Sequence, residues 1–302
     1  MTDAVSSSSI LDLGELDGTL LVFGGVDGNL DAFDALLKHA ALQGIPFTRM
    51  IHTGGVAPFC AEPVAVATRL AEVGVASVRG TFEMDAPALI RGSVADVLPE
   101  TSAEGWQSIL DEGIPEDVLA WMEGLPSQML FTLNGRRCRV VHSTVSSPEK
   151  LLFASSPAPG YLREFELSQT EVVIAGRSGL PFTRLFPSSQ GIGQAWHNPG
   201  ALGLPANDGT PRVWYSLTRS TPGGIEFEHR PLTYDHRAAA AKLRSMNSDN
   251  AVAKCLASGL WPSLEDVPQG EKSRRGLPLE GRSIRFEEEV EVEAEERPVD
   301  DF

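Results

Sequence analysis

Along the first third of the chain, short apolar runs alternate with helical spacings. Leu20 to Phe23 is rich in strand formers and stops at Gly24-Gly25, with Gly28-Asn29 close behind. Leu30, Phe33, Leu36 and Leu37 then recur at three and four residues, which is one face of a helix. Phe47 to His52 predicts a second strand, ending at Thr53-Gly54-Gly55. Pro63 to Val73 predicts an amphipathic helix with proline in its first turn. Val75 to Val78 predicts a third strand, running into Arg79-Gly80-Thr81-Phe82-Glu83. Strand, glycine turn and helix alternate, as in βαβ units with a mostly parallel sheet. Turns at the carboxyl ends of such strands are where ligands usually bind.

The pattern changes after residue 84. Residues 84 to 127 read as helical and irregular, with Pro115 to Glu123 the clearest helix. Gln128 to Leu133 and Arg137 to His142 flank Asn134-Gly135 and predict a hairpin. Val172 to Ala175 is a buried strand ending at Gly176-Arg177-Ser178-Gly179, and Trp196 to Gly200 reads as a turn. Val213 to Leu217 and Ile225 to His229 predict a second hairpin, and a helix follows over about Asp235 to Ser245. Residues 1–17 read as a flexible lead-in, 18–262 as one domain, and 263–302 as a charged, acidic, disordered tail.

Charge sharpens that division. The net charge is −16, and the stretch from Glu287 to Phe302 carries nine acidic residues and one arginine, half of the total. The tail could dock a basic partner or serve solubility. No basic face is available to neutralise phosphates, which argues against nucleic acid. No apolar run of about 18 residues suggests a membrane span. The acidic, serine-rich start lacks the features of a signal peptide, so a cytoplasmic location is expected. Cys60, Cys138 and Cys255 are widely spaced and form no metal-type pair, so reduced, buried thiols are expected.

Taken in order, the turns resemble the motif series of the calcineurin-like metallophosphoesterases, most of all the small bacterial branch with YfcE-type phosphodiesterases and diadenosine-tetraphosphatase-like proteins. The resemblance runs from about Leu20 to Leu260. Gly28-Asn29-Leu30, Arg79-Gly80, Val141-His142-Ser143 and Asn198-Pro199-Gly200 all match the family's scaffold positions. Val213 to Leu217 and Arg230 to Asp235 match its closing hairpin and the start of its last helix. The resemblance implies an α/β (α+β) fold: a sandwich of two mixed β-sheets flanked by helices, with two metal ions at the strand ends.

The metal motifs themselves depart from the family. Its Asp-x-His-Gly-Asn reads Gly25-Val26-Asp27-Gly28-Asn29 here, and its Gly-Asp reads Gly54-Gly55. Its Gly-Asn-His reads Gly80-Thr81-Phe82, and its Gly-His-x-His reads Gly176-Arg177-Ser178-Gly179. Only His142 stays in place. Two divalent metals about 3.5–4 Å apart need a bridging carboxylate, and Gly55 has none. One imidazole and one displaced carboxylate fall short of a three-ligand site.

The expectation is therefore a catalytically degenerate protein, a pseudoenzyme that binds, regulates or scaffolds. The alternative is a residual metal-dependent phosphodiesterase or phosphatase acting on a nucleotide or small phosphoester. Asp27, Asn29, Glu83, His142, Arg177 and Asn198 are the candidate cleft residues. No cofactor is expected, or at most one weakly bound Mn, Fe or Zn ion on His142 and Asp27. Arg177 either holds a phosphate or carboxylate or pairs with Glu83 or Asp27. Asp27 caps the turn or helix, or touches a ligand. Phe82 fits a packed, closed site. A protein partner or a small phosphate or nucleotide ligand fits this reading, and the family leaves room for a homo-oligomer.

Overall fold

The structure, a computed structural model, describes residues 9–91, 113–188 and 191–287. Two six-stranded mixed sheets stack face to face with helices on both outer faces. The first sheet has the order β1-β5-β6-β7-β9-β8 and the second β12-β11-β10-β2-β3-β4. Their strands are β1 (Ile10–Leu16), β2 (Thr19–Phe23), β3 (Met50–His52), β4 (Ala76–Ser77), β5 (Gln128–Leu133) and β6 (Arg136–Val141), followed by β7 (Val172–Ala175), β8 (Phe182–Ser188), β9 (Gly191–Asn198), β10 (Val213–Thr221), β11 (Gly224–Leu232) and β12 (Arg282–Glu287). The helices that matter below are α1 (Leu30–Leu42), α2 (Pro63–Val73), α3 (Thr81–Arg91), α4 (Glu116–Gly124) and α5 (Ala158–Ser168), then α6 (His236–Met246), α7 (Ala251–Ser258) and the single turn α8 (Gln269–Lys272).

The apolar run of β2 is continuous because both of its faces are covered. Leu20 and Val22 point between the sheets, where they meet Phe131, Val140, Ile174 and Phe227. Leu21 and Phe23 point outward into the layer that holds Phe33 and Leu36 of α1, Val66 and Leu70 of α2, and Leu243 of α6. On the other outer face Tyr161 and Phe165 of α5 cover Val141, Val173 and Trp196. Burial of each large side chain is worth about 1.5–3 kcal/mol, so this central strand anchors two layers at once. β2 pairs in parallel with β3 and antiparallel with β10, with Val22 opposite Ile51 and Ser216.

Several sequence expectations need correction. Residues 10–16 are not a flexible lead-in; they form β1, which pairs in parallel with β5. Residues 263–302 are not disordered throughout. α8 and β12 lie there, β12 pairs with β11, and Phe286 is 4% exposed. The most acidic residues, 288–302, lie outside the described residues, as do 92–112 within the irregular stretch. Trp196, His197 and Asn198 lie in β9, so the turn begins only at Pro199. Phe47–Arg49 is a 3₁₀ turn, and only Met50–His52 extend as a strand. The Asn134-Gly135 hairpin is as expected, with φ of +49° and +72° at the two positions.

Among the described residues no helix is long and apolar enough to cross a membrane. Cys60, Cys138 and Cys255 are free and buried.

Candidate functional site

Six turns meet beyond the ends of β2, β3, β4, β6, β7 and β9, and backbone hydrogen bonds lock them together. Val26 and Asp27 N–H donate to Gly55 O at 2.7 and 3.0 Å. Leu202 and Gly203 N–H donate to Gly25 O at 2.9 and 2.8 Å. Gly176 and Arg177 N–H donate to His142 O at 3.0 and 2.9 Å. Such bonds depend on main-chain shape rather than on side chains, so the turn cluster can persist when ligand residues change.

Asn29 is the clasp of this cluster. Its Oδ1 accepts from Ala32 N–H and caps α1. Its amide Nδ2 stands 3.2 Å from Leu202 O, 3.2 Å from Gly203 O and 3.0 Å from Tyr234 Oη. Asn198 works similarly on the opposite side. Its Nδ2 donates to Ser178 Oγ at 2.8 Å, and its Oδ1 accepts from Gly200 N–H at 2.9 Å. Both asparagines are buried and hold the scaffold.

Asp27 takes a left-handed conformation, with φ of +51°. It does not cap α1, a role that Asn29 fills. Its carboxyl lies across glycines instead. A Cβ on Gly25 would stand 2.9 Å from Asp27 Oδ2, and one on Gly203 would collide with the Asp27 side chain. Burial, helped by the neighbouring Glu83 charge, raises the Asp27 pKa to about 8, although Arg177 pulls the other way.

Glu83, in the first turn of α3, is 1% exposed. Its Oε1 accepts from Gly55 and Val56 N–H at 2.9 and 2.7 Å, while Oε2 is buried without a hydrogen-bond partner. Burial raises its pKa against those amide bonds.

His142 follows β6 and is 7% exposed. Its Nδ1 lies 2.9 Å from Thr53 O. A carbonyl only accepts, so the proton sits on Nδ1 and Nε2 keeps its lone pair. Burial lowers the His142 pKa to about 4, with Arg177 adding to the effect. The ring therefore stays neutral near pH 7.

Arg177 is half-buried, and its Nη1 donates to Thr81 Oγ1 at 2.8 Å. The expected ion pair with Glu83 or Asp27 does not form among the described residues. Asp27 contributes to its electrostatics only as a nearby charge, alongside Glu149. Phe82 turns away into the core and is 6% exposed, which closes that side of the cleft.

The structure thus brings Asp27, Glu83, His142 and Arg177 to one place and uses Asn29 and Asn198 to frame it. A metal does not fit this set. Among the described residues no group of three or more His, Cys, Asp or Glu side chains is arranged to hold one. Glu83 Oε1 is committed to two amides, and Gly25 and Gly55 supply no donor atom. Gly55, at φ +99°, would also strain any residue that carried one.

Sequence reasoning missed three partners. Thr53 O orients His142, Tyr234 Oη supports Asn29, and His52 stacks on Phe23 at 5.0 Å with both ring nitrogens buried and unpaired. Burial lowers the His52 pKa to about 3. The first two contacts join distant segments, and no local signal announces them. The strand-end position of His52 is legible in the sequence, but its burial is not.

No protein-family model and no curated protein matches the sequence. Solved structures do match. A metallophosphoesterase from Sphaerobacter thermophilus aligns with a TM-score of 0.61 at 18% identity, over 81% of this chain and all of that one. A hypothetical protein from Pyrococcus horikoshii aligns with a TM-score of 0.63 at 14% identity, over 80% of this chain and 99% of that one. The paired mixed sheets, the flanking helices and the turn cluster at the strand ends together give this chain the metallophosphoesterase fold.

Proposed function

We propose that this chain is a metal-independent binding protein on a metallophosphoesterase fold, and that its cleft holds a small anionic group rather than hydrolysing one. The observation that carries this reading is Arg177. It stands where the resembling family supplies a ligand histidine, half-buried, with one N–H on Thr81 and no carboxylate partner among the described residues. Of its neighbours, Glu149 offsets its charge from a distance, while Asp27 and His142 add little near neutral pH. The Asp27 pKa is raised to about 8 and the His142 pKa lowered to about 4, both chiefly by burial. A desolvated guanidinium with open N–H groups is well suited to a phosphate or carboxylate oxygen pair. The Asp27 hydroxyl, when protonated, adds a donor on the same side.

A residual phosphoesterase would have to recruit Asp27, Glu83 and His142 around one ion. One oxygen of Glu83 is held by amides, and among the described residues no three such side chains are arranged around one point, which disfavours that reading. The test is titration calorimetry with inorganic phosphate and pyrophosphate in excess chelator, on the full chain and on Arg177→Gln. Binding in chelator that the substitution abolishes supports the proposal. Turnover of bis(p-nitrophenyl) phosphate that appears only with added Mn²⁺ would sink it.

A further inference from the structure

A second cavity lies beyond Gly200, away from the cleft. Its volume is about 300 Å³. One wall is the edge of the sandwich: Pro181 and Phe182 at the start of β8, Trp214 of β10 and His229 of β11. The other wall is the segment from Glu271 to Arg282, which had been expected to be disordered. That segment is fastened down. Leu279 N–H donates to Asp208 Oδ2 at 3.0 Å, Arg212 Nη2 donates to Leu279 O at 2.8 Å, and Gly276 N–H donates to Asn207 O at 2.9 Å.

Two ring nitrogens in the sandwich wall lack partners. Trp214 and His229 are each 1% exposed, yet Trp214 Nε1 and His229 Nδ1 make no hydrogen bond. His229 ends a buried chain. Ser216 Oγ meets His197 Nε2 at 2.7 Å, His197 Nδ1 meets Thr183 Oγ1 at 2.8 Å, and Thr183 Oγ1 meets His229 Nε2 at 2.9 Å. Thr183 has one proton to give. If it donates to His229, Nδ1 carries a proton; if it donates to His197, Nδ1 carries a lone pair. The chain can therefore present either a donor or an acceptor, while Trp214 Nε1 is only a donor. At the rim, Arg274 and Arg282 form no ion pair among the described residues, and both are exposed. The acids there are Glu280, which is exposed, and Asp208 and Glu271, whose oxygens already accept from Thr210, Leu279 and Ser155.

We propose that this cavity binds a small aromatic carboxylate bearing a second oxygen, such as a hydroxyl. The ring would lie against Phe182 and Pro181, the carboxylate at Arg274 and Arg282, and the second oxygen at Trp214 and His229. Size and lining agree with a ligand pocket: mostly apolar walls with a few convergent polar groups. This inference stands apart from the cleft, because no residue invoked for either site serves the other.

The test is an NMR titration of the full chain with 4-hydroxybenzoate, 4-hydroxyphenylacetate and the uncharged 4-hydroxybenzamide. The chain has five tryptophans, so five indole N–H signals are expected. The Trp214 signal is assigned by through-bond connection to its backbone, or by Trp214→Phe where that variant folds. At least one of the two acids should move this signal at millimolar concentration or below. The double variant Arg274→Gln, Arg282→Gln, altered only at exposed positions, should weaken that binding by about tenfold or more. The amide should bind correspondingly worse. An unmoved Trp214 signal with both acids, or an affinity indifferent to the two arginines, would overturn the proposal.

Discussion

Asn29 and Asp27 sit two residues apart on one turn and face opposite situations. Asn29 spends its amide on a helix cap, two carbonyls and a tyrosine hydroxyl. Asp27, on the same rigid frame, forms no hydrogen bond through its carboxyl among the described residues, and burial drives it toward its neutral form. Glu83 and His142 resemble Asp27: one oxygen of the first is orphaned, and the second is held neutral. The clasp is a fully satisfied polar network, which rigidifies a fold. The cleft is a set of polar groups left short of partners, as one oxygen of Glu83 and the Asp27 carboxyl show.

That contrast can be broken from either side. The largest effect is expected for Asn29→Ala, which removes a cap and strands two buried carbonyls. Urea unfolding should show a loss of about 3 kcal/mol or more. The reverse experiment restores carboxylates to the cleft with Gly25→Asp and Gly55→Asp. The Gly55 position has φ of +99°, and the Gly25 position faces the Asp27 carboxyl. The pair should cost about 2–4 kcal/mol by chemical denaturation, from backbone strain and crowded carboxylates. A variant as stable as the parent would mean that the cleft is roomier than described.

Asp27→Asn comes next and reads out through pH. The folded-state pKa of Asp27 is raised from 3.8 to about 8. Its contribution is therefore complete below about pH 4 and is lost as pH rises toward 8. The buried histidines act on the acid side. With folded pKa values lowered to about 4 at His142 and about 3 at His52 and His229, they cost stability as pH falls below 6.5. Denaturation across this range should show stability falling at both ends. Asp27→Asn should remove only the alkaline fall, on the order of 2 kcal/mol after discounting a half-buried group for solvent screening. The smallest effect is expected at Arg177→Gln. Loss of one half-exposed bond to Thr81 should cost less than about 1 kcal/mol in stability, while anion binding disappears.

The sequence revealed local features and missed remote ones. The Leu20–Leu37 strand, turn and helix could be read because each signal lies within a few residues of the structure it specifies. The motif series grouped Asp27, Glu83, His142 and Arg177 from short local patterns, and the fold sets their turns side by side. β1 was not: Asp12, Gly14 and Glu15 interrupt its alternation, and it is an exposed edge strand. Pro187, Gly191 and Gly193 break the strand signal of β8 and of the first half of β9, for which the sequence predicts no element. The segment after residue 262 looked disordered from its charge. What orders it is supplied elsewhere, by Asp208, Arg212 and the β11 edge. The bonds from His142 to Thr53 O and from Asn29 to Tyr234 are likewise products of the assembled fold.

The most direct test of the central claim is elemental analysis of the purified full chain after incubation with Mn²⁺, Zn²⁺ or Fe²⁺ and removal of unbound ion. The ligand set described here predicts metal far below one ion per chain for all three. Two ions per chain, with the turn cluster intact, would contradict it.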